Sequence, residues 1–360
     1  MEQIMALVTN APSGGVNSRK VDITGESGDL TLKPLYTGIC GTDRGIIAGA
    51  LPFAYNPQGY DFLVLGHEAI CRVVESDTPL FRAGDLVVPI VRRPGRCLNC
   101  AAGRQDNCSD GDKHEAGITG KHGFMREEFR ESSRYVVRVG DMSMERTGVL
   151  TEPTKNVMKL FEVFNVVSGR SIYPTPEYSL HGKHAWIIGT GSEGFLFSFM
   201  AREQGFDTVM TNRHGVDEGR LKIMDRFGID FVDYSRDFDI AVKDIDLLID
   251  TSGDPSTILR FAQKVRFNGI VFLFGTNGRA PDGAMSGAFV DHLVEKNITI
   301  AGSVDGAKRH YEQAVSYISK WTHEHPDALS SLITSERPVT SPDPFKRDNS
   351  EGIKTIISWK

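Results

Sequence analysis

The run Ala185-Trp186-Ile187-Ile188 leads straight into Gly189-Thr190-Gly191-Ser192-Glu193-Gly194, a G-x-G-x-x-G that opens the helical stretch FLFSFMAREQG. Glycines at that spacing let the backbone turn tightly and approach a pyrophosphate, whose charge is met by the free N–H groups of the helix N-terminus. A bare glycine pattern also serves as an ordinary tight turn, and a chain with 37 glycines offers many. The strand before it and the helix after it decide for a dinucleotide site. Gly189, Thr190, Gly191, Ser192 and Gly194 are therefore candidate cofactor residues. The second strand of the same unit ends VMTNRH, where an NAD-binding chain usually carries an acid for the ribose hydroxyl. Asn212, Arg213 and His214 stand there instead. Arginine pairs with a 2′-phosphate through a charge-assisted fork, and no carboxylate opposes it, so NADP is expected over NAD.

The alternation that begins at about His184 continues through DTVMTNR, LKIMDRFG, DIDLLIDTSG, STILRFAQKVRFNG, IVFLFGTNG, FVDHLVEKN and ITIAGSVDG. It predicts βαβ units and an α/β, doubly wound parallel sheet of about five or six strands. The first 150 residues offer short apolar runs broken by glycine and charge, such as DFLVLGHEAICRVVES and DLVVPIVRR, and read as a β-rich domain. After the helical AKRHYEQAVSYISKWTHE comes a segment bounded by Pro338 and Pro344, then GIKTIISW, a single strand. A lone strand needs a sheet, so it is expected to return to the first domain. The expected division is 1–182, 183–309 and 310–360.

Composition narrows the partners. A net charge of -6 gives no attraction to nucleic acid or to an anionic membrane. No apolar run approaches the roughly 20 residues that span a bilayer, and the start MEQIMALVTN lacks the pattern of a secretion signal. The 5 cysteines are odd in number and partly clustered as Cys97-x-x-Cys100, which fits a reducing cytoplasm and metal-binding or free thiols. Cys71 lies in an apolar run and reads as a buried strand residue. Arg92, Arg93 and Arg96 read as solvated or internally paired, and His122 and His310 have no evident partners. There is no H-E-x-x-H pattern, and Ser252 lacks the G-x-S-x-G setting of a hydrolase.

Two segments carry candidate metal chemistry. GICGTDRG places Cys40 with Thr42 and Asp43, and VLGHEA places His67 beside Glu68. Thiolate and imidazole are good zinc ligands, although either alone is as readily a core group. Their order is the stronger signal. Cys-Gly-Thr-Asp, then Gly-His-Glu, GDLVV, a Cys-rich segment and a C-terminal Rossmann half resemble the medium-chain zinc alcohol dehydrogenase superfamily over nearly the whole chain. Within it, GICGTDRG, VPIVRRPGRCLNC, GRQDNCSDGDKHEAGITGKHGFM and LTEPTKNVMK look like the archaeal glucose dehydrogenases, particularly those of thermoacidophiles.

That resemblance implies a β-rich GroES-like catalytic domain beside the Rossmann domain. It implies a catalytic zinc held by Cys40, His67 and Glu68, with Glu152 a direct or water-mediated ligand. It implies that Thr42, Glu115, Glu152, Asn156 and Asp305 face the sugar; relatives often carry Asn at the last position, so Asp305 is a departure. Further cofactor contacts are implied from Phe274, Gly275 and Thr276 and from Ser303, Val304 and Asp305. Dimers or tetramers through the nucleotide domain follow from the same resemblance. The implied reaction oxidises β-D-glucose at C1 to D-glucono-1,5-lactone with NADP, and NAD as the lesser acceptor, in sugar catabolism of the non-phosphorylative Entner–Doudoroff type. Galactose is a related candidate substrate. Zinc as a Lewis acid would lower the pKa of a sugar hydroxyl, and Thr42 would accept and pass the proton. Another zinc polyol or alcohol dehydrogenase, or a noncatalytic NADPH- or zinc-binding protein, is the alternative.

The lobe at about 92–115 is expected to bind a second, structural zinc. The superfamily spacing C-x2-C-x2-C-x7-C is matched at its last three positions by Cys97, Cys100 and Cys108, while Pro94 holds the place of the first. A closed tetrahedral site needs a fourth donor, and a carboxylate is acceptable chemistry. By resemblance Asp112 is the choice, with Asp110 and His114 as the other candidates. For the cofactor site, Arg213→Ala should raise the KM for NADP far more than the KM for NAD in steady-state assays; equal effects on both would remove Arg213 from the phosphate site.

Overall fold

The computed structural model describes residues 3–112, 114–170, 180, 182–236, 238–276, 285–341, 343–346 and 352–360. The chain forms two compact units, Asn156–Asp305 and Met1–Lys155 with Gly306–Lys360. The divisions fall at 155/156, inside the helix Thr151–Ser168, and at 305/306, where the sequence expectation placed them at 182/183 and 309/310.

Residues 156–305 are organised on a six-stranded sheet. Its strands are His184–Ile188, Asp207–Asn212, Asp230–Asp233, Ile245–Asp250, Val265–Leu273 and Thr299–Gly302. Numbered along the chain they lie in the order 3-2-1-4-5-6, and every neighbouring pair is parallel. The sequence expectation of a doubly wound sheet is met at its upper count. Central strands of such a sheet are covered on both faces, so they read as continuous apolar runs. Ile245–Asp250 is buried at every position. On one side Phe261 packs with Trp186, Tyr234 and Phe238, with ring centroids 6.2, 5.1 and 5.0 Å apart. The glycine-rich turn follows the first strand. Gly189 adopts φ 111°, a conformation that side chains resist. A methyl on Gly194 would overlap the Gly189 carbonyl oxygen, so the helix Ser192–Glu203 can start against the turn only with glycine there.

The other unit is mostly antiparallel. Its main sheet runs in the order Val136–Val139, Leu86–Pro89, Glu68–Ser76, Leu30–Ile39, Lys354–Ser358 and Ile333–Pro338, with Phe129–Glu131 also paired to Leu30–Ile39. Leu30, Leu32, Ile39, Cys71, Val73, Phe124 and Ile357 meet in its core. Pro34 cannot donate to the ladder, and it sits where the register with Glu68–Ser76 shifts. The last strand pairs antiparallel with Leu30–Ile39, as the sequence expectation had it. Its other neighbour, Ile333–Pro338, was not signalled by the sequence because its alternate residues are exposed and polar. A three-stranded sheet holds Asn17–Val21, Ile4–Thr9 and Leu63–Val64, and another holds Arg92–Arg93, His114–Ala116 and Gly120–Lys121.

His122 is packed against the first of these small sheets. Its ring stacks on Phe62 at 5.0 Å and meets Tyr60 edge-on at 4.6 Å, and Nδ1 accepts a hydrogen bond from the Val64 N–H (3.2 Å). Burial, with Arg126 and Lys121 nearby, pulls the imidazole down to about 3. The unfolded chain therefore binds a proton that the folded chain refuses between about pH 6.5 and 3, and stability falls as pH falls through that window. His122→Asn, which keeps an acceptor for Val64, should remove about 2 kcal/mol of the stability loss between pH 7.5 and pH 5. Urea unfolding at the two pH values measures it, and an unchanged pH dependence would contradict it.

Candidate metal and cofactor sites

Cys40 ends the strand Leu30–Ile39 and is the N-cap of the short helix Gly41–Ile47. His67 and Glu68 lie where the chain enters the neighbouring strand Glu68–Ser76, whose first residue is in register with Gly38. The pairing of these two strands brings Cys40, His67 and Glu68 together, with one ligand atom from each within 4.8 Å of the others. A soft thiolate, an imidazole and a carboxylate with room for a further ligand is the donor set of a catalytic zinc. These residues fit that ion.

Groups behind the trio orient it. Asp43, fully buried, accepts from the Cys40 N–H (2.8 Å) and the Gly66 N–H (3.3 Å), and its Oδ1 lies 3.4 Å from His67 Nδ1. Burial opposes its ionisation, but His67 and these backbone donors outweigh burial and hold the carboxyl below its ordinary range. Burial likewise opposes charge on His67, and Asp43 with Cys40 outweighs it, so the imidazole is raised well above 6.5. Holding Nδ1 toward Asp43 leaves Nε2 for a metal. Glu68 is buried, and its Oε1 accepts from Lys354 Nζ at 2.7 Å, an ammonium that is itself buried. Gly38 makes room for this side chain, because a methyl there would overlap Glu68 Oε2. Thr42 Oγ1 is 3.9 Å from Cys40 Sγ, beside the trio as expected. Glu152 stands outside it, and its carboxylate is 3.2 Å from Lys155 Nζ, both side chains being buried. Asn156 lies one turn further along the same helix, on the face of Glu152.

Cys97, Cys100 and Cys108 form a second set within 4.8 Å. Hydrogen bonds from Ser109 pull the Cys97 thiol down to about 6, whereas burial and the neighbouring thiols push Cys100 up to about 11. Clustered thiols that resist joint ionisation are what a divalent cation relieves, so this set also fits zinc. Here the structure departs from the expectation. Asp112 does not join the thiols; its Oδ2 lies 3.4 Å from Arg96 Nε at the exposed surface, and neither Asp110 nor His114 joins them. The reason is local: the backbone carbonyl of Asp112 packs over Gly95, in the space a methyl there would occupy, and the side chain points away to solvent.

The cofactor candidates share one edge of the parallel sheet. Gly189 to Ser192, Asn212 to His214, Phe274 to Thr276 and Ser303 to Asp305 each follow the carboxyl end of a strand, which is where doubly wound sheets bind ligands. The helix Ser192–Glu203 has Gly191 at its N-cap with no side-chain cap, so its first N–H groups remain for a phosphate. Asn212 does not turn outward; its Nδ2 donates to Thr190 Oγ1 (3.2 Å) and braces the turn, leaving Arg213 exposed. Arg220 Nε adds a bond to the Thr190 carbonyl (3.2 Å). Phe274 and Gly275 N–H groups both donate to the Asp250 carbonyl (3.0 Å). Asp305 takes φ 68°, a left-handed conformation that Asp tolerates better than most residues.

Sequence reasoning missed the supports rather than the ligands. Asp43 was visible in Cys-Gly-Thr-Asp, three residues after the thiol, the spacing of a reciprocal cap. Lys354 gave no signal, because its partner is 286 residues away. His310 serves the fold: its Nδ1 accepts from the Ala307 N–H (2.9 Å) and caps the helix Lys308–Glu324. Cys71 is fully buried, and burial pushes its thiol far up, so it is inert core.

Comparisons with known proteins agree with this layout. The family profile "Glucose dehydrogenase C-terminus" matches residues 145–359, and "Alcohol dehydrogenase GroES-like domain" matches residues 26–141. A glucose 1-dehydrogenase of Thermoplasma acidophilum is 54% identical over 100% of both chains. One from Metallosphaera sedula is 37% identical over 98% of each. Among solved structures, Haloferax mediterranei glucose dehydrogenase in complex with NADP, zinc and gluconolactone has a TM-score of 0.82 and 28% identity, covering 99% of each chain.

Because Lys354 is a buried counter-charge of Glu68, Lys354→Met should remove half of a buried ion pair and lower stability by about 3–5 kcal/mol. Denaturant unfolding of the metal-free protein measures this, and a loss under about 1 kcal/mol would show that the pair does not hold the trio together.

Proposed function

We propose, because the chain belongs to the glucose dehydrogenase family of the zinc-containing medium-chain alcohol dehydrogenases, that it oxidises glucose at C1 to gluconolactone with hydride transfer to NADP. The observation that carries this reading is the Cys40, His67 and Glu68 trio, with His67 and Glu68 buried, set in the same chain as an uncapped glycine-rich helix start at a doubly wound sheet. Bound there, zinc supplies Lewis acidity that eases loss of the C1 hydroxyl proton. Asp43 and Lys354 orient the trio, and the Thr42 hydroxyl beside Cys40 is placed to accept the proton and pass it outward. Glu115, Glu152, Asn156 and Asp305 are the sugar-facing groups of this reading. A site lined by hydrogen-bonding side chains strongly disfavours substrates that lack hydroxyls, so simple alcohols fit poorly.

The finer points belong to the same reading. The β anomer is the substrate, galactose is a second one, and the product feeds catabolism of the non-phosphorylative Entner–Doudoroff type in the cytoplasm. No helix among the described residues is long and apolar enough to cross a membrane. Assembly is a homodimer or homotetramer through the nucleotide unit. In support, Thr299–Gly302 is an edge strand with Ile300 partly exposed, and the helix Gly287–Glu295 exposes Val290 and Val294. Asp112 remains the fourth ligand of the thiol lobe in this reading, released from Arg96 when zinc is present; an exposed pair is a weak restraint.

One experiment tests the function: steady-state kinetics with a panel of sugars and alcohols against NADP and NAD, with zinc measured on the same preparations. Glucose with NADP should give the highest kcat/KM, Cys40→Ala should lose activity and catalytic zinc, and Asp112→Ala should lose only lobe zinc. Full turnover by metal-depleted Cys40→Ala would overturn the zinc mechanism, and a simple alcohol as best substrate would overturn the sugar assignment.

A further inference from the structure

Arg92 was expected to be solvated or internally paired, and the structure gives it a more specific arrangement. The strands Arg92–Arg93 and His114–Ala116 pair antiparallel with Arg92 opposite Glu115. Arg92 Nε and Nη2 both donate to the same oxygen, Glu115 Oε1, at 3.0 and 2.6 Å. An arginine that meets a carboxylate side-on engages both oxygens. Here both donors of that edge, Nε and Nη2, converge on one oxygen, and Glu115 Oε2 has no hydrogen-bond partner among the described residues. Both side chains are largely buried, at 6% and 12% exposure.

The arginine is anchored from behind. Its Nη1 reaches the carbonyls of Gln105 (3.5 Å) and Asp106 (3.4 Å), in the turn between Cys100 and Cys108. The Gln105 carbonyl also accepts the N–H of Cys108 (3.2 Å), so the turn that holds a lobe thiol also holds Arg92. On the other side, the Val91 N–H donates to the Tyr311 hydroxyl (3.2 Å) and restrains the strand just before it.

We propose that Arg92 is a positioning residue for substrate: it fixes one oxygen of Glu115 and presents the other oxygen to a sugar hydroxyl. The inference rests on the reading above that Glu115 faces the sugar. Lysine cannot reproduce the effect in full, because a single ammonium lacks the planar pair of donors that sets the carboxylate's angle.

The test is a double-mutant cycle on the zinc-loaded enzyme with Glu115→Gln, Arg92→Gln, Arg92→Lys and Glu115→Gln/Arg92→Gln, reading kcat, the KM values for glucose and NADP, and zinc content. Loss of a hydrogen bond to a charged group corresponds to about tenfold or more, so Glu115→Gln and Arg92→Gln should each raise the KM for glucose by that factor, with the KM for NADP and zinc content unchanged. Arg92→Lys should fall between Arg92→Gln and the unmodified enzyme. The double variant should be no worse than Glu115→Gln, because Arg92 acts through it. Additive effects, or a parallel rise in the KM for NADP, would overturn the proposal. If Glu115→Gln impairs glucose use while both Arg92 variants keep the KM of the unmodified enzyme, the proposal alone falls. If Glu115→Gln leaves the KM for glucose unchanged, the sugar-facing assignment falls with it. Should Arg92→Gln fail to fold, Arg92→Lys decides: a raised KM for glucose at unchanged KM for NADP supports the role, and an unchanged one overturns it.

Discussion

The buried pair between Lys354 and Glu68 joins the chain's last strand to its metal cradle. Burying either charge alone would be costly, and their 2.7 Å contact offsets that cost. The pair exists because Lys354–Ser358 completes the sheet beside Leu30–Ile39, where Ile356 and Ile357 enter the core and Trp359 donates from its indole to Thr37 (2.9 Å). Apolar burial drives the strand into place. The ion pair then sets which way Glu68 faces, and with it the geometry offered to a metal.

Pairing of an acid with a nearby cation recurs in this unit. Glu115 has Arg92, Glu152 has Lys155, Glu131 has Arg93 and Glu26 has Arg126. Anions out of water need compensation. Each of these acids has a cation of its own beside it.

The ligands were more legible in the sequence than their supports. Cys40, His67 and Glu68 were visible because they sit in short motifs of chemically suited residues, and the glycine-rich turn because its strand and helix flank it directly. The six-stranded sheet was legible for the same reason, since its strands are buried apolar runs with helices between. Lys354, Arg92 and the strand Ile333–Pro338 were not. Each acquires its role from pairing with a distant segment, and a lysine, an arginine or an alternating polar strand looks like surface until that pairing is known. Asp112 was named from its place in the lobe, and in the structure its carboxylate meets Arg96 at the surface instead of the thiols.

The return of the last strand to the first sheet also orders events in time. During synthesis Glu68 emerges 286 residues before the lysine that neutralises it. The nucleotide unit, contiguous at 156–305, has every residue it needs well before that moment. The nucleotide unit can thus fold while the metal cradle still lacks both a strand and a counter-charge. The metal cradle reaches its final form only once Lys354–Ser358 has joined the sheet beside Leu30–Ile39.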